Sequence, residues 1–176
     1  MEIFLQALIN GVMLGGFYAI MVLGFSVIWG VMGVINLSHG EFVMLGAYIA
    51  WILNAQFGWE PVTALIVVAH VMFVFGYILQ RLLINHVVER PHLISLLVTF
   101  GLAIIIANAV KLQFSADPRQ IQTAYTGAIQ LTERLTLPVS KSIILVAALI
   151  IMALLHLFLQ RTRLGKSIRA AAQNKE

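Results

Sequence analysis

Asn36, Ser38, His39 and Glu41 fall within one six-residue stretch, Asn-Leu-Ser-His-Gly-Glu, between two apolar runs. A His and a carboxylate this close could ligate a metal, exchange protons, or line a polar route for a solute. Ser38 with Glu41 three residues later, ahead of an apolar run, is also the pattern of a capping box. On that default account Ser38 accepts from the Glu41 N–H and Glu41 reaches back to the Ser38 N–H. The carboxylate would then sit at the positive end of the helix that begins there. The capping box uses neither Asn36 nor His39. A helix interrupted at membrane depth is tolerated only where its backbone faces protein or a water-filled cavity. Ionisable groups in such places are functional candidates, and a helix N-terminus beside a cavity offers N–H groups to an anion such as a carboxylate. Asn36, Ser38, His39 and Glu41 are therefore candidates for lining a translocation path, a role compatible with capping.

Other chemistry finds little support. His39 and Glu41 are two residues apart, and His70, His86, His92 and His156 form no i, i+4 pair. The H-E-x-x-H pattern is absent, and without cysteine no thiolate site can be built. His70 and His156 are expected to be packed and hydrogen-bonded. No Ser stands in a G-x-S-x-G context. Gly165-Lys166-Ser167 imitates the end of a phosphate-binding loop, but the position that needs the first glycine is Gln160. Neither an enzyme nor a metal or other cofactor is expected.

The elements that position these residues follow from composition. Of 176 residues, 10% are charged and 61% apolar, and the mean hydropathy is +0.97, whereas soluble domains carry about 25% charged residues. A helix needs about 20 apolar residues to cross a bilayer core. Five runs qualify or nearly so: 3–35, 42–59, 61–80, 91–110 and 142–160. The expectation is an all-α polytopic bundle of about five spans. The first run is one tilted span or a broken helix, and 42–59 either crosses or turns back. It begins too long for a signal peptide and lacks a basic n-region, so it reads as a retained span. Pro61, Pro91 and Pro138 stand at the starts of apolar runs, as helix-initiating prolines do. Pro118 marks a turn in Ser115-Ala116-Asp117-Pro118-Arg119. Gly11 and Gly15 form a GxxxG, expected to pack within one subunit before serving as a dimer seam.

The segment 161–176 is basic, alanine-rich and directly follows a span. Lys and Arg collect on the cytoplasmic side, so this tail is placed inside, 111–141 outside, 81–92 inside and the N-terminus outside. An anionic-lipid anchor or a helix docking on a soluble partner would both suit it. The net charge of +4 then reports orientation, not nucleic-acid binding.

Two stretches together resemble a known family. Val31-Met32-Gly33-Val34-Ile35-Asn36-Leu37-Ser38-His39-Gly40-Glu41-Phe42-Val43-Met44-Leu45-Gly46-Ala47-Tyr48 is similar to the signature of permease subunits of high-affinity branched-chain amino-acid ABC importers, the LivH type. Leu8-Ile9-Asn10-Gly11 with Gly15 and Tyr18-Ala19 fits the same group, and Leu164 to Asn174 resembles its EAA-like coupling loop. The resemblance implies an integral permease of the bacterial inner membrane, multi-pass, with 1–176 forming the N-terminal part of the transmembrane domain. It further implies a second permease subunit, two ABC ATPase subunits and a periplasmic substrate-binding protein as partners, within membrane lipid. Gly165, Arg169, Ala170 and Ala171 match the part that contacts the ATPase, and Asn36, Ser38, His39 and Glu41 the signature beside the path. Members of the family continue for several more spans, so the chain is expected to be incomplete relative to them. Urea permeases, or permeases for other small polar solutes, share the Asn-x-x-His-Gly-Glu sequence and are the alternative. Outside the superfamily, the alternative is a small oligomerising membrane scaffold.

Overall fold

The computed structural model describes residues 2–88, 90–121, 123–125, 127–132 and 135–173. It contains α1 (Glu2–Met32), α2 (His39–Phe57), α3 (Pro61–Leu82), a 3-10 turn (Ile84–His86), α4 (His92–Phe114), β1 (Ala128–Thr132), β2 (Leu135–Pro138), α5 (Val139–Arg161) and α6 (Arg163–Gln173). Two compact units result. One comprises residues 1–31 and 124–176, the other residues 32–123.

The helices begin where the prolines predict. Pro61 opens α3, and Pro91 and Pro138 immediately precede α4 and α5. A proline there gives up no hydrogen bond, because the first N–H groups of a helix have no partner within it. The first apolar run is one unbroken helix of 31 residues, which rules out a break within it; at 1.5 Å per residue it is about 46 Å long. The chain leaves it at Gly33, whose φ of 67° is a conformation that favours a residue without Cβ.

Within the second unit, α2 packs antiparallel on α3. Gly46 admits Val68 Cγ1 to 3.6 Å from where its Cβ would lie, and Phe42 meets Phe75 edge-on at 5.7 Å. α4 lies along α2 in the same direction: Leu37, just before α2, bonds Thr99, while Tyr48 stacks on Phe114 further along both helices. The buried stripe of α4 is Ser95, Thr99, Ala103, Ile106 and Val110, a spacing of four, four, three and four that keeps one helix face on its neighbours.

In the first unit α1 and α5 also run in the same direction. Gln6 exchanges two hydrogen bonds with the Thr136 backbone, 3.0 and 2.9 Å, and Gly16 lies against Leu145. Further on, Val27 and Val31 share a groove with Leu155 and Leu159. Gly16 is thus the close-approach glycine of α1. Gly11 and Gly15 have nothing within 4 Å of an added Cβ among the described residues, so it is Gly16, and not the GxxxG, that meets α5.

Among the described residues, four helical segments are long and apolar enough to cross a membrane: Glu2–Met32, Pro61–His86, His92–Phe114 and Val139–Arg161. α2, with Asn54 and Gln56 near its end, is not among them, yet its 19 residues rise about 28 Å. The direction of α1 and α5 bears on it. Two spans that cross in the same sense must be separated by an odd number of crossings. α3 and α4 supply two, so α2 supplies the third. The open apolar surface fits this setting, with Phe73 75% and Ile105 67% exposed, since lipid replaces the core that would otherwise cover them.

The segment between α4 and α5 holds an antiparallel hairpin, Ala128 opposite Pro138 and Ile129 opposite Leu137. It is a small β addition to the helical fold that the sequence reading passed over as a polar loop. Its strands are too short and too polar at the ends to stand out from a loop by periodicity.

Candidate functional site

The loop from Gly33 to Ser38 folds into a buried polar knot. Val34 is 3% exposed, Asn36 7% and Ser38 0%. Asn36 Oδ1 accepts two hydrogen bonds, from the Ser38 N–H at 3.0 Å and from Ser38 Oγ at 2.7 Å. The Asn36 carbonyl accepts from the His39 N–H at 3.3 Å and the Ser38 carbonyl from the Phe42 N–H at 3.1 Å. Asn36 therefore closes an Asx turn that delivers the chain into α2.

This corrects the expected capping box. Ser38 precedes α2 but makes no side-chain cap bond, and its φ and ψ of −82° and 8° are not those of an extended N-cap. Its hydroxyl turns instead to Asn36, to which it donates. The residue that the capping box left unused is the one that builds the turn.

Beneath the loop stands Thr99. Its Oγ1 accepts the Leu37 N–H at 3.2 Å and lies 3.1 Å from the Ile35 carbonyl and 2.9 Å from the Ser95 carbonyl. One proton serves one of those carbonyls at a time. Ser95, one turn earlier and 2% exposed, donates to the His92 carbonyl. Sequence reasoning missed both. The signal was available: Ser95 and Thr99 are the hydroxyl residues of α4, spaced i, i+4 on its buried face. Thr99 is seven residues into α4, about 10 Å along its axis, so the irregular backbone of 33–38 packs beside a point well inside that span.

Thr99→Val keeps the shape and removes the hydroxyl. A buried N–H left unpaired costs about 1–3 kcal/mol, and each kcal/mol lowers the melting temperature by about 2–4 °C in a chain of this size. Thermal unfolding in detergent should show that drop for Thr99→Val and little for Thr99→Ser; equal melting of all three would remove Thr99 as the anchor.

Glu41 lies in the first turn of α2, and its Oε2 is buried without a hydrogen-bond partner among the described residues. His39 is partly buried at the helix start. Asn36, Ser38, His39 and Glu41 are thus brought together within one turn, with Ser95 and Thr99 added from α4. His70 is exposed and hydrogen-bonds the Ile66 carbonyl of its own helix at 2.7 Å, and His156 is exposed. Neither is packed as expected.

The second candidate set lies on α6, in the other unit. Thr162 makes the corner: its N–H and Oγ1 both donate to the Phe158 carbonyl, at 3.1 and 2.7 Å, and Oγ1 accepts the Gly165 N–H at 2.9 Å. Thr162 thereby ends α5 and caps α6. Gly165 is buried against this corner. A Cβ there would strike the Phe158 carbonyl oxygen and stand 2.6 Å from Leu159 Cα. Arg169 and Ala170 are exposed, and Ala171 lies in α6 with its side chain outside the described residues. Residues 174–176 of the basic segment are also outside them. Arg169, with Ile168 and Ala172, borders an apolar groove of about 350 Å³ whose far wall includes Val27 and Leu159.

The sequence profile of the family described as "branched-chain amino acid transport system / permease component" matches residues 7–176. The chain is 32% identical to the high-affinity branched-chain amino acid transport system permease protein BraD of Pseudomonas aeruginosa, over 97% of this chain and 60% of that protein. It is 28% identical to the permease protein LivH of Escherichia coli K12 and 26% to LivH of Salmonella typhimurium, each over 97% of this chain and 59% of the relative. The chain spans about three fifths of the length of these curated relatives. No solved structure matches it.

Proposed function

The chain belongs to the family of branched-chain amino-acid transport permease components, and from that premise we propose that it forms part of the translocation path of an ABC importer for branched-chain amino acids. It does no chemistry of its own. Separate ATPase subunits drive it, a second permease subunit completes the path, and a periplasmic binding protein delivers the solute in the bacterial inner membrane.

The observation that carries the proposal is the loop from Gly33 to Ser38, folded onto Thr99 with Val34, Asn36 and Ser38 buried. Irregular backbone beside a membrane span is stable only against protein or a water-filled space. Ser38 donates to Asn36, and Thr99 bonds the loop backbone at Ile35 and Leu37. Glu41 retains an unpaired carboxylate oxygen, which suits a group that meets a passing ammonium. Asn36, Ser38 and His39 hold the start of α2 so that Glu41 keeps its place.

α6 is the coupling element. Arg161, Arg163, Lys166 and Arg169 crowd the end of α5 and the helix after it, which places that end in the cytoplasm. The N-terminus of α1 and the hairpin are then on the outer side. Gly165 and Thr162 fix the angle of α6, and Arg169, Ala170 and Ala171 present its surface to the ATPase.

Hydrogen exchange tests the coupling. In the assembled transporter, adding the ATPase subunits should slow exchange in residues 165–173 at least about tenfold, equivalent to about 1.4 kcal/mol of added protection, and leave the hairpin 128–138 unchanged. Exchange in α6 that ignores the ATPase would refute the assignment.

A further inference from the structure

Further along α2 and α4 from the Asn36 knot, three rings and an arginine cluster beside an open pocket. Tyr48 stacks on Phe114 at 4.7 Å, and Trp51 meets the same ring edge-on at 6.1 Å. The Arg119 guanidinium lies over Trp51 at 5.2 Å, and its Nη2 donates to the Phe114 carbonyl at 3.0 Å. The pocket holds about 190 Å³ and is walled by Met44, Ala47, Tyr48, Trp51, Arg119 and Ile121, with Phe114 packed behind Tyr48 and Trp51.

We infer that this pocket binds a small aliphatic carboxylate of amino-acid size, with the carboxylate on Arg119 and the side chain between Met44, Tyr48 and Ile121. The inference rests on the transport proposal for its biological meaning, as a subsite ahead of Glu41 on the same route.

Three features support it. First, the walls are aromatic and aliphatic apart from Arg119, and the volume of about 190 Å³ is below the ~300–1,000 Å³ of pockets for drug-sized ligands, the scale of a small solute. Second, Arg119 is tethered through one nitrogen, and among the described residues no carboxylate pairs with it. The rest of its planar fork can grip a carboxylate with two parallel bonds, and its cation–π contact with Trp51 holds it at the pocket. Third, the backbone is bent to bring it there. Ser115, which ends α4, has φ 65° and ψ −179°, a region nearly reserved for glycine that costs other residues about 1–3 kcal/mol. The Ser115 hydroxyl accepts the Asp117 N–H at 3.2 Å and donates to the Asp117 carboxylate, holding the bend. Without that bend the chain would leave α4 straight, and Arg119 would not return over α2.

The pocket also continues a face. Glu41, Met44, Tyr48 and Trp51 follow one another by three, four and three residues, which places them on one side of α2. Glu41 is about 10 Å along the axis from Tyr48, too far for one amino acid to touch Arg119 and Glu41 at once. The two groups would act in succession: Arg119 takes the carboxylate, and Glu41 later takes the ammonium.

The test is fluorescence titration of the purified chain in detergent with L-leucine, and with isoamylamine, which is leucine without its carboxylate. Wild type should show saturable quenching by L-leucine and none by isoamylamine, and Trp51→Phe should lose the signal. Arg119→Gln should raise the apparent Kd at least about tenfold, as expected when a charge-assisted bidentate contact is removed, and Arg119→Lys should fall between. Circular dichroism confirms that each variant keeps its helices. The pocket is overturned if wild type shows no saturable response, if isoamylamine quenches as well as leucine, or if Arg119→Gln binds like wild type. Uptake by the assembled importer separates the two proposals. Leucine uptake with no leucine in the pocket removes this subsite and leaves the transporter standing. Leucine in the pocket of an importer that carries no leucine leaves the site and removes the transport assignment.

Discussion

Replacing Glu41 by Gln is expected to lower uptake by the assembled importer about 10- to 100-fold, the loss of a charge-assisted contact of about 1.5–3 kcal/mol, while the amount of protein in the membrane stays close to wild type. The split between the two readouts follows from the geometry. Glu41 Oε2 is buried and has no hydrogen-bond partner among the described residues, so no described contact of that oxygen is lost when the charge goes. A buried unpaired charge is a cost to the fold, and Gln preserves the shape while removing it. Thermal stability in detergent should therefore hold or rise as uptake falls. A side chain whose task was only to start α2 would behave otherwise, with uptake and membrane level declining together. Leucine uptake, a membrane immunoblot and a melting curve on the same variant decide between them, and parallel losses would return Glu41 to a structural role.

Gly165→Ala should be nearly as damaging, by another route. The added methyl would meet the Phe158 carbonyl and Leu159 Cα, both backbone, so no side-chain rotamer can relieve the clash. Overpacking of well-packed sites costs about 1–3 kcal/mol, and here the cheapest relief is to open the corner between α5 and α6. The expected result is loss of exchange protection in α6 and failure of ATP-driven uptake, with the helix content of the spans unchanged. Gly11→Ala is the matched control. Its Cβ would meet nothing within 4 Å, and alanine favours a helix over glycine by about 1 kcal/mol, so the purified chain should melt at the same temperature or higher. Were both substitutions equally silent, the corner would not be what fixes α6.

Both positions stood out in the sequence, but for reasons the structure only partly shares. Glu41 drew attention as one half of a capping box with Ser38, and the box is not made: Ser38 is not in an extended N-cap conformation, and its N–H, which Glu41 would have bonded, is held by Asn36. Gly165 drew attention within a stretch resembling a coupling loop, and the structure adds the steric reason that it is glycine. Thr99 went unremarked: its i, i+4 spacing from Ser95 marks a polar face on α4 but does not name the partner of that face, 62 residues away at Leu37. Arg119 was read as part of a turn. Its place over Trp51 depends on the Ser115 bend, and a serine carries no sequence mark of positive φ.

What the sequence by itself determined is the class of the molecule and the ends of its elements. Low charge and long apolar runs require helices that satisfy their own backbone in lipid, and Pro61, Pro91 and Pro138 announce starts, because both are local properties of the chain. Only the tertiary structure decided which way the helices run against one another, that Asn36 and Thr99 hold the loop before α2, and that Gly16 and not the GxxxG is where α1 meets α5. Those outcomes depend on which faces touch, and in a chain apolar on nearly every face, hydrophobicity cannot say which side is inward. There the choice falls to shape and to the few polar groups that must find partners.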